Sequence, residues 1–157
     1  MKKVNYKRLI TVSRLLFLLY IFFVLYFLLF AESFGRTEVR REYSYNLTFF
    51  KEIKRYLEWA ETSDVGFKMM LLNIWGNIIC FLPFGFFVPV QFKKMRHGIS
   101  IAIATFVFSL LVESFQLVFK IGSFDVDDIM LNTLGEILGY IMYIILKKII
   151  LKISHRN

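Results

Sequence analysis

The stretch MMLLNIWGNIICFLPFGFFVPVQF, Met69–Phe92, runs for 24 residues without a charge. At about 1.5 Å per residue a helix of that length crosses the roughly 30 Å of hydrocarbon in a bilayer. Three further runs flank it. Leu9 to Ala31 is interrupted only by Arg14, Ile99 to Phe119 holds the single acid Glu113, and Ile129 to Leu146 holds the single acid Glu136. The expected fold is all-α, one integral membrane domain over residues 1–157, with four transmembrane helices at about 9–31, 69–92, 99–119 and 129–146. The first run reads as an anchoring span and not a cleaved signal peptide. Its 17 uncharged residues from Leu15 to Ala31 exceed a usual signal core, and no small-x-small cleavage site follows.

Charge then orients the spans. The chain is 57% apolar and 20% charged, and its charges crowd into short segments between the uncharged runs. Residues 1–14, the turn from Phe92 to Ile99 and the tail after Leu146 together carry 12 Lys or Arg and no acid, which marks them as cytoplasmic. Both termini are therefore expected inside. The formal net charge of +8 reads as a topogenic signal with some attraction to anionic lipid, and nucleic acid is not an expected partner. Cys80 is the single cysteine, so the chain can form no internal disulfide and no Cys-based zinc or iron-sulfur site.

The long outer loop opens with mixed charges at Arg36, Glu38, Arg40, Arg41 and Glu42 and turns amphipathic from Asn46 onward. Phe49, Phe50, Ile53, Leu57 and Ala60 recur at helical spacing, and Lys51, Lys54, Arg55, Glu58 and Glu61 take the opposite face. A short helix on the outer membrane surface is expected, with Tyr56 and Trp59 at headgroup level and Thr48 or Asn46 as its cap. It serves either as an interfacial anchor or as a lid, with Asn46 and Phe50 at its entry.

Polar groups within the spans are the informative residues, because a charge in hydrocarbon costs at least about 2.5 kcal/mol. Asn73, Gly76 and Asn77 fall at i, i+3, i+4; Pro83 removes a backbone donor, and with Gly85 and Pro89 it predicts a bent second span. Glu113 and Gln116 share a face with Ser109, and Asp128, Asn132 and Glu136 form an i, i+4, i+8 stripe beside the Gly135 and Gly139 pair. With the termini inside, Asn73, Asn77, Glu113, Gln116, Asn132 and Glu136 all lie within roughly 12 Å of the outer ends of their helices. Three helices offering polar groups at one depth predict an outward-facing pocket lined by these residues with Asp125 and Asp128. The same groups could instead satisfy one another as interhelical glue.

The outer turn reads Gly122-Ser-Phe-Asp125-Val-Asp127-Asp128. Asp125 as helix N-cap with Asp128 at the third position is a complete structural reading, since free N–H groups there favour negative charge. Asp125, Asp127 and Asp128 are also a weak candidate set for a divalent cation, although the glycine and distal glutamate of a calcium loop are missing. No cofactor is otherwise expected.

Three motifs together resemble the VanZ-like membrane proteins, a family that includes a teicoplanin-resistance protein. They are Asn46-Leu47-Thr48 before an aromatic, Asn77-x-x-x-Phe81-x-Pro83-x-Gly85, and Gly122-Ser-Phe-Asp125-Val-Asp127-Asp128 continuing to Asn132-Thr-Leu-Gly135 and Gly139-Tyr140. Glu113-x-x-Gln116 fits as well. The chain departs from the family pattern at Phe49, where Pro is usual, and at Ser123, where many members carry Arg. The resemblance implies a multi-pass protein of the bacterial cytoplasmic membrane that lowers susceptibility to teicoplanin-type lipoglycopeptides.

The favoured function is non-enzymatic: the pocket binds membrane lipid or a lipid-linked cell-wall precursor, and the antibiotic is affected indirectly. The second is an intramembrane enzyme acting on an envelope lipid, with Glu113 or Glu136 as general base and Asp128 orienting a partner. Against it, no His or thiol shares the site, and His97 and His155 fall on cytoplasmic segments. A small transporter, assembled as a homo-oligomer through Gly135 and Gly139, ranks third because the inner half shows no polar path.

Overall fold

The structure, a computed structural model, describes residues 6–30 and 42–154. Its elements in order are α1 Tyr6–Phe30, β1 Tyr45–Asn46, α2 Lys51–Thr62, α3 Asp64–Met70, a π-helical turn Leu71–Trp75, α4 Gly76–Gln91, a 3-10 turn Lys93–Met95, α5 Gly98–Phe119, β2 Phe124–Asp125 and α6 Val126–Ser154. Ala31, the charged run Arg36 to Arg41 and His155 lie outside the described residues.

The architecture is an all-α membrane bundle. Asp64–Gln91, Gly98–Phe119 and Val126–Ile153 are long and apolar enough to cross a bilayer, and α1 supplies a shorter apolar stretch, Thr11–Tyr26. The second predicted span begins earlier than expected, because Ser63 caps α3: its hydroxyl accepts the Gly66 N–H at 3.0 Å. The helix then continues through Pro83 and Pro89. Its departure from α-helical geometry lies earlier, in the π-helical turn just before Asn77.

Near Pro83 the backbone is satisfied by a side chain. The Tyr20 hydroxyl of α1 donates to the Cys80 carbonyl at 2.5 Å. A phenol from α1 thus supplies a donor to a carbonyl of α4 in the turn before Pro83, whose ring nitrogen has none. Around it, Val24, Phe81 and Val112 form one buried apolar cluster and Phe84, Val88 and Ile101 another.

The closest helix pair is α4 with α6. A Cβ on Gly135 would overlap the Ile78 carbonyl, one on Gly139 the Leu82 carbonyl, and one on Gly85 the Glu136 carbonyl. These glycines let two backbones meet. The Gly135 and Gly139 face thus packs against α4 of the same chain. Large apolar side chains such as Leu19, Phe22, Ile103 and Leu111 point outward instead, as lipid contact requires.

Candidate functional site

Asp125 joins three segments at one end of the bundle. As the residue before α6 it accepts the Asp127 N–H on Oδ1 at 2.8 Å, so it is the N-cap the sequence predicts. The same oxygen accepts Asn46 Nδ2 at 3.0 Å, and the Asp125 N–H donates to Glu113 Oε2 at 2.9 Å. Parallel pairing of β1 with β2, Asn46 against Asp125, holds this geometry, and Asn46 Oδ1 accepts the Thr48 N–H at 3.1 Å. The chain Asn46–Asp125–Glu113 thus latches the segment before α2 to the turn before α6 and to α5.

Asp127 holds α2 itself. Its Oδ1 accepts the Phe50 N–H at 2.6 Å, and its Oδ2 accepts the Glu52 and Ile53 N–H groups at 2.9 and 3.3 Å. Phe50, the N-cap position, has φ 63° and makes no side-chain cap. The expected cap was Thr48 or Asn46; a carboxylate from α6 serves instead, because the left-handed turn at Phe50 aims the free N–H groups toward α6.

Asp128 accepts Asn77 Nδ2 at 2.7 Å, and Asn132 Nδ2 donates to Ser109 Oγ at 2.8 Å. Glu113, Gln116, Asn132 and Glu136 are all buried, Glu136 to 1% exposure. Asn73 stands apart from this cluster: its Nδ2 donates to the Tyr56 hydroxyl at 2.9 Å, which ties α2 to the π-helical turn. Asp125, Asp127 and Asp128 are directed to different partners, and among the described residues no group of three or more His, Cys, Asp or Glu is placed to hold one ion. Burial pushes the Asp125 carboxyl up to about 6, against the lowering pull of the Asp127 N–H and the Asn46 amide. Lys120 leaves α5 in a left-handed conformation and lies 4.7 Å from the centre of the Tyr43 ring.

A groove of about 520 Å³ runs along the π-helical turn and the start of α4, lined by Leu71, Leu72, Trp75, Gly76, Ile79 and Cys80. None of the predicted site residues lines it. The polar cluster is closed beneath the latch, while the groove is apolar and faces outward from the helix.

The sequence matches the VanZ/LLP1 family over residues 17–147. The chain belongs to that family. It is 35% identical over 82 residues to Protein VanZ of Enterococcus faecium, an alignment covering 52% of this chain and 48% of that protein. The chain thus spans about half the length of this curated relative. No solved structure matches it.

In structural terms the VanZ-like motifs divide into two jobs. Asn46, Glu113, Asp125 and Asp127 build the latch, whereas Gly85, Gly135 and Gly139 bring α4 against α6. Sequence reasoning missed Thr105, buried on α5 one turn before Ser109, and the role of Tyr20. The i, i+4 spacing of Thr105, Ser109 and Glu113 was available as a signal. The pairing of Tyr20 with Cys80 had none, since 60 residues separate them.

Proposed function

We propose that this protein lowers susceptibility to teicoplanin-type lipoglycopeptides by binding a lipid headgroup, or the headgroup of a lipid-linked cell-wall precursor, at the latched polar end. In this reading α1 is a fourth span, both termini are cytoplasmic, and α2 lies in the outer interface as a lid. The observation that carries the reading is the Asn46–Asp125–Glu113 chain, which joins the lid segment to buried polar groups of α5 and α6. Family membership and the name of the Enterococcus faecium relative support the link to glycopeptides.

The chemistry suits a headgroup with hydrogen-bond donors. Asp125, Asp128 and Glu113 offer carboxylate oxygens, and Asn77 and Gln116 offer amides, near where a headgroup would lie. Because Asn77, Glu113, Gln116 and Asp125 are buried, entry requires α2 to lift, which breaks the Asn46 bond and the Asp127 cap together. Tyr56 and Trp59 on α2 are of the type that lies at headgroup level and would hold the lid at that depth.

The test is teicoplanin and vancomycin susceptibility in a Gram-positive host lacking the gene, complemented with wild type, Glu113→Gln or Asp128→Asn at matched membrane levels. A teicoplanin-selective shift that both variants lose is expected. No shift with wild type would refute the resistance role, and a shift retained by both variants would remove the polar end from it. Labelling of a cysteine placed at His97 from outside the cell would overturn the orientation.

A further inference from the structure

Below the latch, the contact between α5 and α6 continues as a ladder of polar side chains. The bond from Asn132 to Ser109 sets an antiparallel register, so one turn further from the latch Thr105 on α5 comes level with Glu136 on α6. Thr105, Ser109, Asn132 and Glu136 are each at most 1% exposed. Three of their oxygens, Thr105 Oγ1, Asn132 Oδ1 and Glu136 Oε2, have no hydrogen-bond partner among the described residues.

Buried polar atoms without partners are costly and infrequent, and three within two adjacent helical turns point to a guest. All three are oxygens. The Asn132 amide nitrogen is committed to Ser109, which leaves its carbonyl oxygen for another partner. A set of carboxylate, amide and hydroxyl oxygens is the donor set of a hard cation. One carboxylate neutralises one positive charge, whereas a divalent ion would leave uncompensated charge within the apolar bundle. Near-complete burial excludes a headgroup or any cation on a stem. The third side is closed by α4, whose Gly85 lies against the Glu136 backbone.

We propose that Thr105, Asn132 and Glu136 bind a small alkali-metal cation, of sodium size, between α5 and α6. The ion ties the two helices together below the latch, and the site is independent of the resistance reading.

The full-length protein, purified in detergent, is melted in NaCl, KCl and choline chloride at matched ionic strength. Wild type is expected to show a saturable rise in midpoint of roughly 3 °C or more in NaCl over choline chloride. Thr105→Val, which keeps the volume and removes the hydroxyl, and Glu136→Gln are expected to abolish that difference. Equal wild-type midpoints in the three salts overturn the proposal, and so does a sodium shift undiminished in either variant. If Glu136→Gln gives no folded protein, Thr105→Val decides by the same criterion. Heat on titration of NaCl into the wild type, absent in Thr105→Val, is the expected second readout.

Discussion

The Asp127 carboxylate accepts the Phe50 N–H at 2.6 Å across 77 residues of sequence. A helix that lacks a cap of its own is thus started by a residue in the first turn of another helix. Asp127→Ala should release the Phe50, Glu52 and Ile53 amides and cost about 2 kcal/mol of local stability. Amide exchange at Glu52 and Ile53 should then speed up about 30-fold. Asp127→Asn, which retains one acceptor oxygen, should fall between. Unchanged exchange in the alanine variant would mean that α2 is held elsewhere.

Asp125 should make the latch sensitive to pH. Its folded pKa, pushed up to about 6 by burial, exceeds the value of about 3.8 expected when it is exposed. The folded state therefore binds the proton more tightly, and this contribution to stability is complete below about pH 4 and is lost as pH rises through about 6. Oδ1 can keep its bonds to Asn46 and Asp127 when the other oxygen is protonated. Acidification from pH 7 to pH 5 should raise the melting midpoint of wild type relative to Asp125→Asn, and the difference curve tests it. A flat difference between the two proteins would contradict the burial argument.

Gly139 should tolerate no side chain. A Cβ there meets the Leu82 carbonyl, so Gly139→Val should cost more than about 2 kcal/mol and reduce folded protein in the membrane. Quantitative blotting with detergent-resolved size analysis checks this. A well-folded variant changed only in oligomeric state would return the glycine face to self-association.

Asn77 and Asp128 should be energetically coupled. A cycle of Asn77→Leu, Asp128→Leu and the double variant should give about 1 kcal/mol of interaction, the usual scale for a hydrogen bond between membrane helices. Reversible unfolding in mixed detergent micelles is a suitable readout. Additive effects would show that the 2.7 Å contact does not bind α4 to α6.

Much of this arrangement was legible along the chain. Uncharged length marked the apolar helices, and the Asp125 cap followed from its place before an apolar run. The i, i+4, i+8 stripe of Asp128, Asn132 and Glu136 correctly gathered residues of one helix. Asn73 shows where spacing runs out: it shares a helical repeat with Asn77, yet the two amides serve different helices, Tyr56 on α2 and Asp128 on α6. Periodicity describes the face of one helix and is silent about which neighbour covers it. The same limit applied to Gly135 and Gly139, whose pattern announces a close helix contact without naming α4 as the partner.

The sequence by itself determined that the chain is an all-α membrane protein, where its apolar helices lie, and that carboxylates and amides interrupt them. Those properties follow from length, charge and local repeat, which need no knowledge of distant contacts. Only the tertiary structure decided that Asp127 caps α2, that Asn46 reaches Asp125, and that Thr105, Asn132 and Glu136 are buried with oxygens unpartnered among the described residues. Each of those depends on how helices are ordered around the bundle and on the register between them, set by packing between residues far apart in the chain.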